Sequence, residues 1–169
     1  MIISEFKNKN IKITWTLLLI CFDSNNILKH SKYDKKFISE REIIDYAIDS
    51  LNYTENPYII SLAILNENED KEIYDCLKQL SENEDCNYQL EFRKFRVMYI
   101  YKNMPSIQTD FVHGILKIIE LWSQFDFPEN CPNVHVEFKD FSYEKFKMLL
   151  DINKDWVYKE FKNIDSNTL

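Results

Sequence analysis

Thr109-Asp-Phe-Val-His-Gly-Ile-Leu-Lys-Ile-Ile-Glu-Leu-Trp-Ser-Gln-Phe125 is the stretch whose reading decides the fold. Phe111, Ile115, Ile118, Ile119, Trp122 and Phe125 recur at three- and four-residue steps, which places them on one face of an α-helix. Val112, Leu116 and Leu121 widen that face until little of the helix is left for water. A helix apolar over most of its circumference belongs inside a helical bundle. Asp126-Phe127-Pro128 then ends it, because the residue before a proline is pushed out of the right-handed helical region.

The flanking sequence supports an all-α, single-domain bundle of seven to eight helices. The chain has 169 residues, 45% of them hydrophobic and 15% aromatic, enough to bury a core without staples. Gly114 is the only glycine. Phosphate-cradling loops, dinucleotide fingerprints and nucleophile elbows all need more than one, so every glycine-repeat motif is excluded. Two-residue β-hairpins are disfavoured for the same reason.

Start signals punctuate the chain. Thr14 is placed to cap a first helix with Trp15, Leu18, Leu19 and Phe22 inward. Residues 1–12 are polar and lysine-rich and read as an extended lead; residues 23–38 read as a loop with a short helical turn at Ile27–Leu28. Ser39-Glu-Arg-Glu42 is a capping box opening a helix that carries Ile43, Ile44, Ala47, Ile48 and Leu51. Asn56-Pro57 pairs a cap with a proline at the first helical position. Further helices follow from Asp70, with Ile73, Leu77 and Leu80 inward, and from Tyr88 to Asn103, where Arg93, Lys94 and Arg96 make a basic patch. Val134 to Phe138 alternates in the manner of a short extended segment. Ser142 caps a helix with Phe146, Leu149 and Leu150 inward. A separate last helix carries Trp156, Val157 and Phe161 before a polar tail over 163–169.

The run Ile13 to Phe22 follows Lys7, Lys9 and Lys12, as in a signal peptide, but no small-residue cleavage site follows and the run is half the length of a membrane span. It reads as a core helix of a soluble, cytoplasmic protein. Cys21, Cys76, Cys86 and Cys131 show no paired spacing and read as reduced thiols in or near the core.

The net charge of −7 is unevenly spread. Residues 1–65 and 92–169 are each balanced. Residues 66–91 hold Glu67, Glu69, Asp70, Glu72, Asp75, Glu82, Glu84, Asp85 and Glu91 against only Lys71 and Lys78, so this one stretch supplies the whole excess. Such a surface repels nucleic acid and attracts basic partners. Those residues other than Glu91, with Tyr74 and Tyr88 as anchors, are the candidate partner-binding site. Cys131, His135 and Glu137 offer three metal-ligand types in loose spacing. No metal, cofactor or catalytic residue is assigned on that basis. The aromatic residues read as core and not as a base-stacking surface, because the charge beside them is negative.

Three stretches carry a resemblance: Ile13-Thr-Trp15; Ile38-Ser39 with Ile43-Ile44, Tyr46 and Ala47; and Leu121-Trp-Ser-Gln-Phe-Asp-Phe-Pro-Glu129. In that order they resemble a family of bacterial helical proteins, domain of unknown function 2247, over roughly residues 10–140. Trp122 and Phe127 stand where the family pattern has tyrosines. The resemblance implies an immunity protein of a polymorphic or contact-dependent toxin system. Such a protein is a non-catalytic inhibitor that binds a cognate toxin C-terminal domain, a basic nuclease among the classes that fit, and occludes its active site. The acidic charge and the shortness of the apolar run lead to the expectation of no binding to nucleic acid or membrane. The alternatives are a non-catalytic adaptor or scaffold and, after that, an enzyme using the His135 region.

Overall fold

The computed structural model describes residues 1–28, 36–107, 110–133 and 142–166. The protein is all-α. The described residues form nine α-helices and one 3-10 turn, with no strand among them: α1 (Ile2–Asn8), α2 (Trp15–Phe22), α3 (Ser24–Ile27), α4 (Glu40–Ser50), α5 (Pro57–Ala63), α6 (Asp70–Glu82), α7 (Tyr88–Asn103), the 3-10 turn Met104–Ser106, α8 (Phe111–Ser123) and α9 (Tyr143–Ser166). The segment expected to be extended, 134–138, lies outside the described residues. The chain divides into two compact units, Met1–Ile27 with Tyr33–Phe95, and Leu28–Lys32 with Arg96–Leu169.

In the first unit α2 packs on α6, α6 on α5, α5 on α4 and α4 on α1. Of the eight residues of α2, Thr16, Leu17, Leu18, Ile20, Cys21 and Phe22 are buried. The helix read as having one apolar stripe is therefore surrounded, and Trp15 and Leu19 of that stripe are only half-buried. Trp15 meets Tyr46 of α4 edge-on, with ring centroids 5.2 Å apart. Thr14 caps α2 as its sequence position requires, accepting the Leu17 N–H at 3.0 Å.

Residues 2–8 are a helix and not an extended lead. Ile2, Ile3 and Phe6 are buried. Seven residues are too few to hold a helix alone, and the support comes from elsewhere in the chain. The Glu42 carboxylate accepts the N–H groups of Ile2 and Ile3, the latter at 3.2 Å. The capping box thus forms in half: Ser39 Oγ accepts the Glu42 N–H at 3.3 Å, while the Glu42 side chain serves a second helix. Asn10 at φ 55 closes α1, and the Ile11 N–H reaches the Phe6 carbonyl at 2.9 Å, a left-handed C-terminal motif that asparagine tolerates.

The core of this unit contains an ion pair. Glu91 and Lys94, one turn apart on α7, are buried, with Lys94 Nζ 2.8 Å from Glu91 Oε1. Thr14 Oγ1 donates to Glu91 Oε2 at 2.7 Å, and Lys94 Nζ donates to the Lys12 carbonyl at 3.1 Å. Lys94, read as part of a basic surface patch, is therefore a core residue.

In the second unit α8 packs on α9. Gly114, Ile115, Ile118, Leu121 and Trp122 of α8 are buried. Phe111, Ile119 and Phe125 are half-buried, and Leu116 is exposed, so this helix keeps more surface in water than its composition suggests. It also stops at Ser123, before the proline signal. Asp126 and Phe127 both take positive φ, and the Phe127 N–H returns to the Trp122 carbonyl at 3.2 Å. For phenylalanine the left-handed region is strained.

The two final helices expected are one. α9 runs 24 residues, through the polar stretch 151–155 and into the expected tail, with Ile164 buried. Asn153, in that polar stretch, is buried and accepts Trp122 Nε1–H at 2.6 Å. Its amide donates to the Asn133 side chain at 2.8 Å and to the Leu149 carbonyl at 2.7 Å. Trp122 and Trp156 meet edge-on, with centroids 4.8 Å apart.

Removing one member of a buried ion pair strands the other. Glu91→Gln is expected to destabilise the protein by about 3–5 kcal/mol. Glu91→Gln with Lys94→Met should lose clearly less than the sum of the two single changes, as read from urea unfolding. A loss below about 1 kcal/mol for Glu91→Gln would show that the charge is solvated.

Candidate functional site

The nine carboxylates of residues 66–91 separate into three groups. The first is structural. Glu91 is buried against Lys94, and Glu84 Oε2 accepts the Thr16 N–H at 3.0 Å and the Thr16 hydroxyl at 3.2 Å. Both therefore serve the amino end of α2, where exposed N–H groups and the helix dipole favour negative charge. Ser81 Oγ lies 2.9 Å from Thr16 Oγ1, and Cys86 Sγ donates to the same oxygen at 3.0 Å.

A second group is paired locally. Asp70 holds Lys36 at 2.6 Å, and Glu40 holds the same ammonium at 2.6 Å. That ammonium lies 3.9 Å from the centroid of the Phe22 ring. Burial alone would lower the Lys36 pKa, but the hydrogen bonds to Asp70 and Glu40 outweigh it and hold the pKa above the ordinary 10.5. Beside Lys36 opens a cleft of about 540 Å³, lined also by Asp23, Asn25, Asn26, Lys71 and Tyr74. Glu67 lies 3.8 Å from Arg41, and Glu69 accepts from the Asn66 backbone at 2.6 Å and its side-chain amide at 3.1 Å.

The third group is outward. Glu72, Asp75, Glu82 and Asp85 are exposed. Glu72, Asp75 and Glu82 follow the face of α6 opposite Ile73, Leu77 and Leu80. Lys71 and Lys78 share that side of the helix, and Lys78 stands 3.9 Å from Glu82. Tyr88 is exposed and stacks along Phe92 with centroids 6.4 Å apart, whereas Tyr74 is half-buried at the cleft. The predicted site is therefore not one continuous acidic plate: four of its carboxylates remain outward, and of these Glu82 accepts from Gln79 Nε2 at 3.2 Å and Glu72 stands in the first turn of α6.

Other candidates for chemistry are accounted for by local structure. His113 Nδ1 lies 2.7 Å from Asp110 Oδ1, and the same oxygen accepts the His113 N–H at 3.0 Å, so the pair caps α8. The backbone N–H and then the side chain of His113 hold the Asp110 carboxyl below its usual value. His30, His135 and Glu137 lie outside the described residues. Among the described residues no group of three His, Cys, Asp or Glu could hold a metal ion. Burial, reinforced by the charges of Glu42 and Glu91, pushes the Cys21 thiol well up, which makes it inert. Cys131 is also buried, and no disulfide joins the four cysteines. No helix among the described residues is long and apolar enough to cross a membrane.

Two of the three stretches singled out in the sequence meet at the amino end of α2, where Trp15 packs on Tyr46. The third supplies Trp122 and the strained turn at Asp126–Phe127. A family model described as an uncharacterized protein conserved in bacteria (DUF2247) matches residues 3–161. The chain belongs to that family. The match is wider than the 10–140 read from the motifs and takes in most of α1 and of α9, the two places where the motif reading stopped short. No curated protein and no solved structure matches this DUF2247 chain significantly.

One set of residues escaped the sequence reading. Ile48 and Leu51, taken as part of the apolar stripe of α4, are exposed, as are Tyr53, Tyr58, Ile60 and Ile64. The sequence did hold a signal: from Glu42 to Asp70 there is no Lys, Arg or His.

The pH dependence of the Lys36 bridge has a definite sign. A pKa raised on folding contributes stability that is complete below the ordinary 10.5 and is lost as pH rises through the folded-state value. Wild type should therefore lose stability more steeply than Lys36→Met above about pH 10.5, when urea midpoints are compared across that range. Parallel curves would mean that the bridge contributes nothing.

Proposed function

We propose that this chain is an immunity protein, which binds a cognate bacterial toxin domain and neutralises it by covering its active site. The observation that carries the reading is the outward group of carboxylates. Glu72, Asp75, Glu82 and Asp85 stay exposed in the stretch that supplies all of the chain's net charge, with exposed Tyr88 beside them. Negative charge of this kind speeds encounter with a basic surface and sets its orientation, while aromatic and apolar anchors supply the hold. A toxin that grips phosphate has to present such a basic surface around its active site, which makes a nuclease domain the partner class of best fit. Membership of a family conserved in bacteria is compatible with this role, and the proposed binding takes place in the cytoplasm of the producing cell.

The structure refines which residues test the idea. Asp70 and Glu69 are tied to Lys36 and to Asn66, so changing them disturbs the fold as well as the surface. Asp75 and Asp85 carry no such duty, and Glu72 contributes only its place in the first turn of α6, worth about 0.3–1 kcal/mol. Glu72→Lys, Asp75→Lys and Asp85→Lys together should leave the circular dichroism and urea midpoint near wild type. The triple variant should associate at least about tenfold more slowly with the product of the open reading frame directly upstream, and the loss should shrink in high salt. Unchanged association and unchanged protection of cells expressing that product would remove the acidic face from the mechanism.

A further inference from the structure

We propose that the carboxyl-terminal end of α4 and the outer face of α5 form an apolar docking surface with an acidic rim, whose occupant is the apolar face of a basic protein. This rests on the binding reading above and names the surface that holds the partner once charge has steered it in. Of the thirteen exposed large apolar side chains among the described residues, Ile48, Leu51, Tyr53, Tyr58, Ile60 and Ile64 fall within residues 48–64. Scattered single residues of this kind are normal on a protein surface; a concentration of them on adjoining elements marks an interaction site.

Helical geometry explains the grouping. On α5, Ile59 and Leu62 are buried, which leaves Ile60 and, one turn on, Ile64 pointing the other way, with Ile64 76% exposed. On α4, Ile43, Ile44 and Ala47 take the core side, while Ile48 and Leu51 are one turn apart and exposed. α4 and α5 pack on each other, and the connection between them presents Tyr53 at 90% exposure. A tyrosine that free of its own protein is a ready anchor, because it brings large amphipathic area at low entropic cost.

The rim decides what the surface takes. No Lys, Arg or His occurs from Glu42 to Asp70, and Asp49, Glu55 and Glu67 in that interval are exposed. Of the two flanking cations, Arg41 is engaged by Asp45 at 3.0 Å and stands 3.8 Å from Glu67, while Lys71 is exposed at the start of α6. A second copy of the chain would bring carboxylates against carboxylates. A partner with an apolar centre and a lysine or arginine border would match both parts.

The test uses the full chain and two synthetic amphipathic helices, one of leucine and lysine and one of leucine and glutamate, read by isothermal titration. Wild type is expected to bind the leucine–lysine helix and to prefer it to the leucine–glutamate helix by at least about tenfold. Ile60→Ser with Ile64→Ser, whose side chains lie outside the core, should keep the urea midpoint and weaken binding about tenfold. Asp49→Lys with Glu55→Lys should weaken it by at least about threefold, and less so in high salt. Absence of wild-type binding, equal binding by the serine variant, or equal affinity for the two helices overturns the proposal. So does a wild-type dimer in sedimentation that the serine pair converts to monomer, since the occupant is then a second copy. Co-purification of both proteins with the upstream gene product separates the two readings. If that product fails to bind wild type while the peptide results hold, the immunity role falls and the docking surface stands. If it binds wild type and the serine variant alike, the immunity role stands and the surface falls.

Discussion

The first unit depends on how the amino end of α2 is satisfied. Thr14 caps the helix and donates to Glu91, Glu91 holds Lys94, Lys94 returns to the carbonyl of Lys12, and Glu84 takes the N–H and hydroxyl of Thr16. Two full charges out of water cost several kcal/mol each, an amount repaid only when every polar atom finds a partner. Here the carboxylate accepts on both oxygens, next to the positive end of a helix dipole. A slip of α7 by one residue would swing both charged groups about 100° round the helix and break the two hydrogen bonds, Thr14 to Glu91 and Lys94 to the Lys12 carbonyl, that tie α7 to the entry of α2. The network therefore sets the register of α7 against α2, while the apolar residues around it supply attraction without direction.

That arrangement changes what the acidic stretch means. Charge counted along the chain is not charge presented to a partner. Glu84 and Glu91 are spent on α2, Asp70 on Lys36, and Glu69 on a turn at Asn66. What remains outward is smaller and is interleaved with Lys71 and Lys78. A surface of this kind orients an approaching basic domain without gripping it, since exposed pairs contribute little to affinity. Grip has to come from apolar burial, and in this unit the six exposed apolar side chains of residues 48–64 supply more of it than Tyr88 does alone.

Features fixed by neighbours in sequence are legible in the sequence itself. Thr14, Ser39, Asn56 and Ser142 all accept a backbone N–H within the first turn of their helices, and Pro57 opens α5. The limits 88–103 of α7 follow directly from its apolar pattern. What failed depended on partners distant in the chain. α1 exists because Glu42, some forty residues on, takes its first N–H groups. Lys94 is buried because Glu91 and the Lys12 carbonyl are there to receive it. α9 continues because Asn153 is met by Trp122 and Asn133. The apolar patch was missed for a related reason. An isoleucine at helical spacing is assigned to the core by default, and only packing shows that Ile43, Ile44 and Ala47 had already filled the inner face of α4.

An exposed apolar surface is a hazard for any protein that must stay dispersed, and its acidic border answers that hazard. With a net charge of −7 and no cation between Glu42 and Asp70, two copies approaching through residues 48–64 meet repulsion before they gain burial. The same border attracts a basic surface over a distance comparable to the Debye length, about 8 Å at physiological salt. A single arrangement thus discriminates by sign: it holds off its own kind and other acidic proteins and admits cationic ones. Three cations of the first unit are taken up locally, while Lys71 and Lys78 stay exposed on α6. Lys94 is buried, Lys36 lies between two carboxylates, and Arg41 sits beside Asp45. Were any of them left loose beside the apolar patch, the selectivity would weaken.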